Sequence, residues 1–78
     1  MTREDLLSFL SGRLGVDVGA IDDDTSLFGG GVLDSFSLVD LILYLEEATG
    51  SKIPAGDVRL EHFDSVRRIL EFTASRAP

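Results

Sequence analysis

Asp34-Ser35-Phe36 is the stretch of this sequence best equipped for chemistry. It follows Gly29-Gly30-Gly31-Val32-Leu33 and opens the most apolar helical run in the chain. An Asp before such a run reads as an N-cap, its carboxylate accepting from the first free backbone amides. Ser35 then stands in the first helical turn, where unsatisfied N–H groups and the positive end of the helix dipole favour a phosphate esterified to its hydroxyl. The triglycine allows backbone angles that a Cβ resists, which predicts a flexible approach that leaves the hydroxyl open to an enzyme. Phe36 is expected to point outward and supply an apolar contact. Asp34 partly opposes a phosphate, so its expected roles are capping and engaging a modifying enzyme and its metal. Taken singly, Asp34 and Ser35 are an ordinary helix start. Their setting suits Ser35 better to carrying a phosphate-linked group than to acting as a catalytic nucleophile.

Rival chemistries fail on spacing. No Gly-Lys-Ser/Thr follows the triglycine, so it is not a P-loop. Ser35 is not in a Gly-x-Ser-x-Gly elbow. The one histidine, His62, is expected to be a surface or packing residue near the last helix. Spacing alone does not exclude a triad of Ser35, His62 and an acid, but a small helical domain offers little enclosed pocket for one. Asp22-Asp23-Asp24 suggests a calcium loop, yet one register puts Leu27 where an EF-hand needs glycine and another puts Phe28 at a ligand position. These residues read as a turn and solvated loop with at most a loose, incidental attraction for divalent cations. No metal site is expected.

Size and charge narrow the class further. Seventy-eight residues make one domain, 1–78. With no cysteine, neither disulfide nor thiolate metal site supports the core. A net charge of −7 makes nucleic acid an improbable partner, because phosphate binding needs clustered Lys and Arg. Between Arg13 and Lys52 there is no basic residue, while Asp17, Asp22, Asp23, Asp24, Asp34, Asp40, Glu46 and Glu47 fall in that window. This central field would steer basic partner surfaces, or simply aid solubility. Met1-Thr2-Arg3-Glu4-Asp5 does not read as a signal peptide, and no apolar run is long enough to span a bilayer. The expectation is a soluble cytoplasmic monomer.

The elements that must position Ser35 follow from a helical hydrophobic period. Thr2 and Asp5 form a capping-box pair for a first helix, with Leu6, Leu7, Leu10 and Leu14 on one face, Phe9 on the flank and Gly15 as the stop. A long loop to Leu33 is pinned by Val18, Ile21, Leu27 and Phe28. The second helix runs from about Ser35 to Thr49 and ends at Gly50. Leu38, Leu41, Ile42, Leu45 and Ala48 make its core stripe, while Phe36, Asp40, Leu43 and Glu47 lie opposite. Pro54 blocks continuation. A short turn over Asp57 to Leu60 precedes a last helix capped by Asp64, with Val66, Ile69, Leu70 and Thr73 inward. The fold class is all-α, a four-helix bundle of three main helices and one short one.

Leu33-Asp34-Ser35-Phe36, followed by Val39-Asp40-Leu41 and Leu45-Glu46-Glu47, resembles the acyl carrier protein family, and the resemblance covers almost the whole chain. It implies the four-helix carrier fold, with 4′-phosphopantetheine moved from coenzyme A onto Ser35 by a phosphopantetheinyl transferase. The arm would carry an acyl or aminoacyl group as a thioester, and the protein itself would catalyse nothing. By position, Asp34, Phe36, Asp40, Leu43 and Glu47 would contact partners: the transferase, an acyl- or aminoacyl-loading enzyme, and a ketosynthase or acyltransferase with a basic docking patch. Phe36 and Ser37 stand where many fatty-acid carriers have Leu and an acid, and Asp34 replaces the His typical of peptidyl carrier domains. Tyr44 fills a place where smaller residues are common, which would alter any cargo cavity. The leading expectation is a discrete carrier of polyketide or related secondary (antibiotic) metabolism, ahead of a D-alanyl or aminoacyl carrier and a primary fatty-acid biosynthesis carrier. The alternative of another class is a non-covalent helical module that docks through its acidic second helix.

Overall fold

The computed structural model describes residues 1–76 of the chain. Four α-helices build the fold: α1 (Arg3–Gly12), α2 (Ser35–Thr49), α3 (Leu60–Phe63) and α4 (Val66–Arg76). Two 3-10 turns, Val18–Ala20 and Ala55–Asp57, interrupt the connections, and no strand occurs among the described residues. No helix among them is long and apolar enough to cross a membrane.

The start of α1 is the capping box expected from its sequence. The Asp5 amide donates to Thr2 Oγ1 at 3.1 Å, and the Thr2 amide donates back to the Asp5 carboxylate at 2.9 Å. The helix stops earlier than Gly15, at Gly12 with Arg13 as C-cap. Gly15 still takes the left-handed turn, at φ +69°, so that Val16 can reverse and donate to the Leu10 carbonyl at 2.9 Å. The end of α2 matches its expected position: Gly50 is left-handed at φ +68° and its amide donates to the Glu46 carbonyl.

Helix α4 packs against the other three helices. The core between them consists of Leu6 and Leu10 from α1, Leu41 and Leu45 from α2, Phe63 from α3, and Val66, Ile69 and Phe72 from α4. Val16, Leu27 and Leu33 complete it from the long connection between α1 and α2, so that segment is an integral part of the core. Val18, Ile21 and Phe28 pack against it from the same stretch, as expected of them. Phe63 and Phe72 meet edge to face with ring centroids 5.1 Å apart, and His62 lies against Phe72 at 4.9 Å. His62 is therefore a packing residue. Tyr44 spans the seam between α1 and α2: its ring stacks on Phe9 at 4.1 Å and 8°, and its hydroxyl donates to the Asp5 carbonyl at 3.2 Å.

Four further details depart from the sequence reading. Ala48 is exposed, because its methyl lies on the rim of an open groove lined also by Asp5, Phe9, Arg13 and Tyr44 and is too small to fill it. The short helix is not at Asp57 to Leu60: a 3-10 turn ends at Asp57, Arg59 is extended, and α3 begins at Leu60. That register buries Phe63 completely. Asp64 does not cap α4. Ser65 does, its Oγ accepting from the Arg68 amide at 3.1 Å, while Asp64 ends α3 and turns its carboxylate to the long connection. Finally, Asp23 and Asp24 are not merely solvated. Arg3 of α1 grips Asp23 at 2.8 Å, and Arg67 of α4 takes Asp24 in a two-pronged contact at 2.6 and 3.2 Å.

With Leu45 wholly enclosed, Leu45→Ala is expected to cost about 2–5 kcal/mol of unfolding free energy as a cavity-forming truncation. Urea denaturation followed by far-ultraviolet circular dichroism checks this. A loss well below that range would show that α2 does not hold this phase.

Candidate functional site

The site is built where the long connection ends and α2 begins. The connection is held there by Asp64, which lies 35 to 38 residues away in sequence. One carboxylate oxygen accepts from the Phe28 amide at 2.8 Å and the Gly29 amide at 3.2 Å. The other accepts from Ser26 Oγ at 2.8 Å. The Asp64 carbonyl accepts from the Leu27 amide at 2.6 Å. Four consecutive residues thus hang on one acid.

From this anchor the chain turns back on itself. The Gly30 amide donates to the Ser26 carbonyl at 3.1 Å, Gly31 to Phe28 at 3.2 Å, and Leu33 to Leu27 at 2.8 Å. The triglycine is therefore not the flexible approach its composition suggested. A Cβ on Gly29 would come within 2.5 Å of Ser26 Oγ, and one on Gly30 would collide with the Ser26 carbonyl oxygen. Gly31 alone uses the left-handed region, at φ +78°. The glycines permit close packing there, and the product is a fixed turn. Leu33 is buried immediately afterwards, which fixes the entry to the helix.

Asp34 then caps α2 from an extended conformation, its carboxylate accepting from the Ser37 amide at 2.9 Å. Hydrogen bonding from Ser37 holds the Asp34 carboxyl below the usual carboxylate range, against the opposing effect of burial. Ser35 is the first residue of α2. It is exposed, and its hydroxyl has no hydrogen-bond partner among the described residues. A reactive group could approach this oxygen without breaking an existing bond.

The outer face of α2 carries Phe36, 85% exposed, followed by Val39 and Leu43, each 58% exposed. Glu47 is exposed and Asp40 half-buried on the same helix. Glu46 is withdrawn from this face, since its carboxylate accepts from the Ile53 amide at 2.7 Å. The expected recognition set Asp34, Phe36, Asp40, Leu43 and Glu47 thus lies on one element with Ser35 at its head. Val39 belongs with it, and its spacing of three from Phe36 and four from Leu43 was the available signal. Leu60, 54% exposed, was not signalled. The acidic window is also less negative than its composition, because Arg3 and Arg67 offset Asp23 and Asp24.

Ser35 fits a phosphate-linked group on its own geometry: an open hydroxyl, a helix start around it, and a rigid approach behind it. The described residues show no cluster of three or more metal-ligating side chains. Comparison with known proteins agrees with this chemistry. A family model described as "Phosphopantetheine attachment site" matches residues 4–73. D-alanyl carrier protein 1 of Lactiplantibacillus plantarum is 32% identical over 69 residues, which cover 88% of this chain and 85% of that protein. The D-alanyl carrier protein of Streptococcus uberis is 40% identical over 55 residues, covering 70% of this chain and 68% of that protein.

The electrostatics of the site predict an acid limit. Asp64 is held below the usual carboxylate range by the Ser26 hydroxyl first and the Phe28 amide next, against the opposing effect of burial. Asp5, Asp23, Asp24 and Asp34 are shifted the same way by their partners. The unfolded chain lacks these bonds and takes up protons more readily. The stabilisation is therefore complete above the ordinary carboxylate range near pH 4 and is lost as pH falls through the lower folded values. The melting temperature should hold steady down to about pH 5 and decline below about pH 4. Asp64→Asn should make that decline shallower; an unchanged acid limb would show that Asp64 is not depressed.

Proposed function

The chain belongs to the phosphopantetheine-attachment family of carrier proteins, and on that premise we propose that Ser35 is the residue that receives the arm. The family's covalent group is 4′-phosphopantetheine. The observation that carries the assignment is the exposed, unpartnered hydroxyl at the first position of α2. In the transfer a phosphoester bond forms to Ser35 Oγ while the phosphoanhydride bond of coenzyme A breaks. The serine proton leaves to the transferase, and the adenosine bisphosphate half departs. Bound in this way, the arm offers a terminal thiol that holds cargo as a thioester.

The proposed work of the whole chain, residues 1–78 as one domain, is to present that thioester to partner enzymes while catalysing nothing itself. Both relatives are D-alanyl carriers by name. They support an aminoacyl cargo, D-alanine foremost, over the polyketide, antibiotic and fatty-acid settings. The loading partner is then an aminoacyl-activating enzyme. Phe36, Val39 and Leu43 would supply its apolar contact, with Asp34, Asp40 and Glu47 facing a basic patch.

Incubation with coenzyme A, Mg²⁺ and a promiscuous phosphopantetheinyl transferase should add one phosphopantetheine to the intact protein by mass and none to Ser35→Ala. An unchanged mass, under conditions that load a control carrier, would leave a non-covalent acidic docking module as the surviving reading. Charge reversal at Asp40 and Glu47 should weaken binding of the transferase more at low salt than at high salt. Salt-independent weakening would remove the acidic face from recognition.

A further inference from the structure

We propose that Asp64, distant in sequence from Ser35, is a positioning residue for the modification of Ser35; this rests on Ser35 being the attachment residue. Between the two lies a continuous chain of short contacts. The Asp64 side chain fixes Ser26, Phe28 and Gly29, and its carbonyl fixes Leu27. Ser26 and Leu27 in turn hold Gly30 and Leu33 through their carbonyls. Leu33 is buried and is followed at once by the Asp34 cap and Ser35. The start of α2 is thus tied to the α3–α4 corner through a turn with almost no spare volume, where even a methyl group on Gly30 meets backbone.

A transferase must bring the serine oxygen in line with a phosphorus atom, and such reactions lose rate steeply when one reactant is displaced by an ångström. Of the contacts proposed for encounter with the enzyme, Asp34 and Phe36 flank Ser35, while Val39, Asp40, Leu43 and Glu47 lie one turn or more beyond it on α2 and do not depend on the turn. Loosening the turn should therefore leave capture of the carrier nearly intact and slow the chemical step. In kinetic language, the loss falls in kcat with KM for the carrier little changed.

The side-chain geometry supplies its own control. Asparagine at position 64 can still accept from the Phe28 and Gly29 amides through its carbonyl oxygen, and its amide can donate to Ser26 Oγ. Alanine can do neither. The experiment measures kcat and KM for phosphopantetheine transfer to the whole protein from coenzyme A, at a temperature where circular dichroism shows each variant fully helical. Asp64→Ala should lower kcat by about tenfold or more, Asp64→Asn should restore it to within about threefold of the parent, and KM should stay within about threefold throughout. Amide exchange at Phe28 and Gly29 should quicken in Asp64→Ala and not in Asp64→Asn. Gly30→Ala, which pries the same turn apart with Asp64 untouched, should also lower kcat and provides the test if Asp64→Ala does not fold.

Loading of Asp64→Ala or folded Gly30→Ala at the parent rate would overturn the positioning role while leaving Ser35 as the attachment residue. Asp64→Asn as slow as Asp64→Ala would overturn it too, since the negative charge and not the hydrogen-bonded turn would then be what matters. Failure of the parent protein to take up the arm at all would instead remove the Ser35 assignment, and this proposal with it.

Discussion

A chain of this size has few contacts with which to hold a long irregular connection, and here one residue, Asp64, holds four consecutive positions of it. Asp64 accepts three hydrogen bonds from residues 26 to 29 through its side chain and a fourth through its carbonyl. Three of these bonds satisfy the backbone amides of Leu27, Phe28 and Gly29, of which Leu27 is wholly buried. The same acid closes α3, so the corner between the two last helices and the loop before α2 share one fixed point. Without it, Leu27 and Leu33 would have burial to gain but no backbone geometry to enforce it. The Arg–Asp contacts further up the loop are exposed and of a kind that contributes little alone. They bring the chain near its place, and Asp64 determines its course.

Helix α2 answers two demands with one sequence. Leu41 and Leu45 are fully buried, which ties the helix to α4 and the core. Phe36, Val39 and Leu43 are exposed on the other side, an arrangement a solitary bundle has no use for. Its head must also remain open at Ser35 while capped at Asp34. Placing the cap one residue before the hydroxyl meets both needs, because the carboxylate bonds to the Ser37 amide and leaves the serine oxygen unclaimed. The capping carboxylate and the open hydroxyl are thereby kept apart by a single position.

Much of this was legible in the sequence because its signals are local. The Thr2–Asp5 box, the Asp34 cap, Gly50 and the Leu41–Leu45 stripe each lie within one or two helical turns, where propensity and periodicity speak directly. The place of Ser35 at the helix start could be read for the same reason, since it sits beside its cap. What escaped was set by contacts far apart in the chain. Asp64 has the residue type and place of an N-cap, yet Ser65 also caps well, and the choice between them was made by amides 35 to 38 residues away. The triglycine looked loose because composition reports what glycine permits; that Ser26 fills the space where two Cβ atoms would stand is a tertiary fact. Phe63 moved the short helix for a similar reason, since its burial outweighed the weak local preference around Asp57.

The stack of Tyr44 on Phe9 has a practical consequence. The chain has one tyrosine and no tryptophan, so its near-ultraviolet absorption above the phenylalanine bands arises from a single ring. That ring lies at the seam between α1 and α2, face to face with its neighbour and tied by its hydroxyl to the first turn of the bundle. The molecule therefore carries a native optical probe at one defined interface. Any non-aromatic guest that parts these two helices would register in that band without a label, and one that binds only the outer face of α2 would leave it silent.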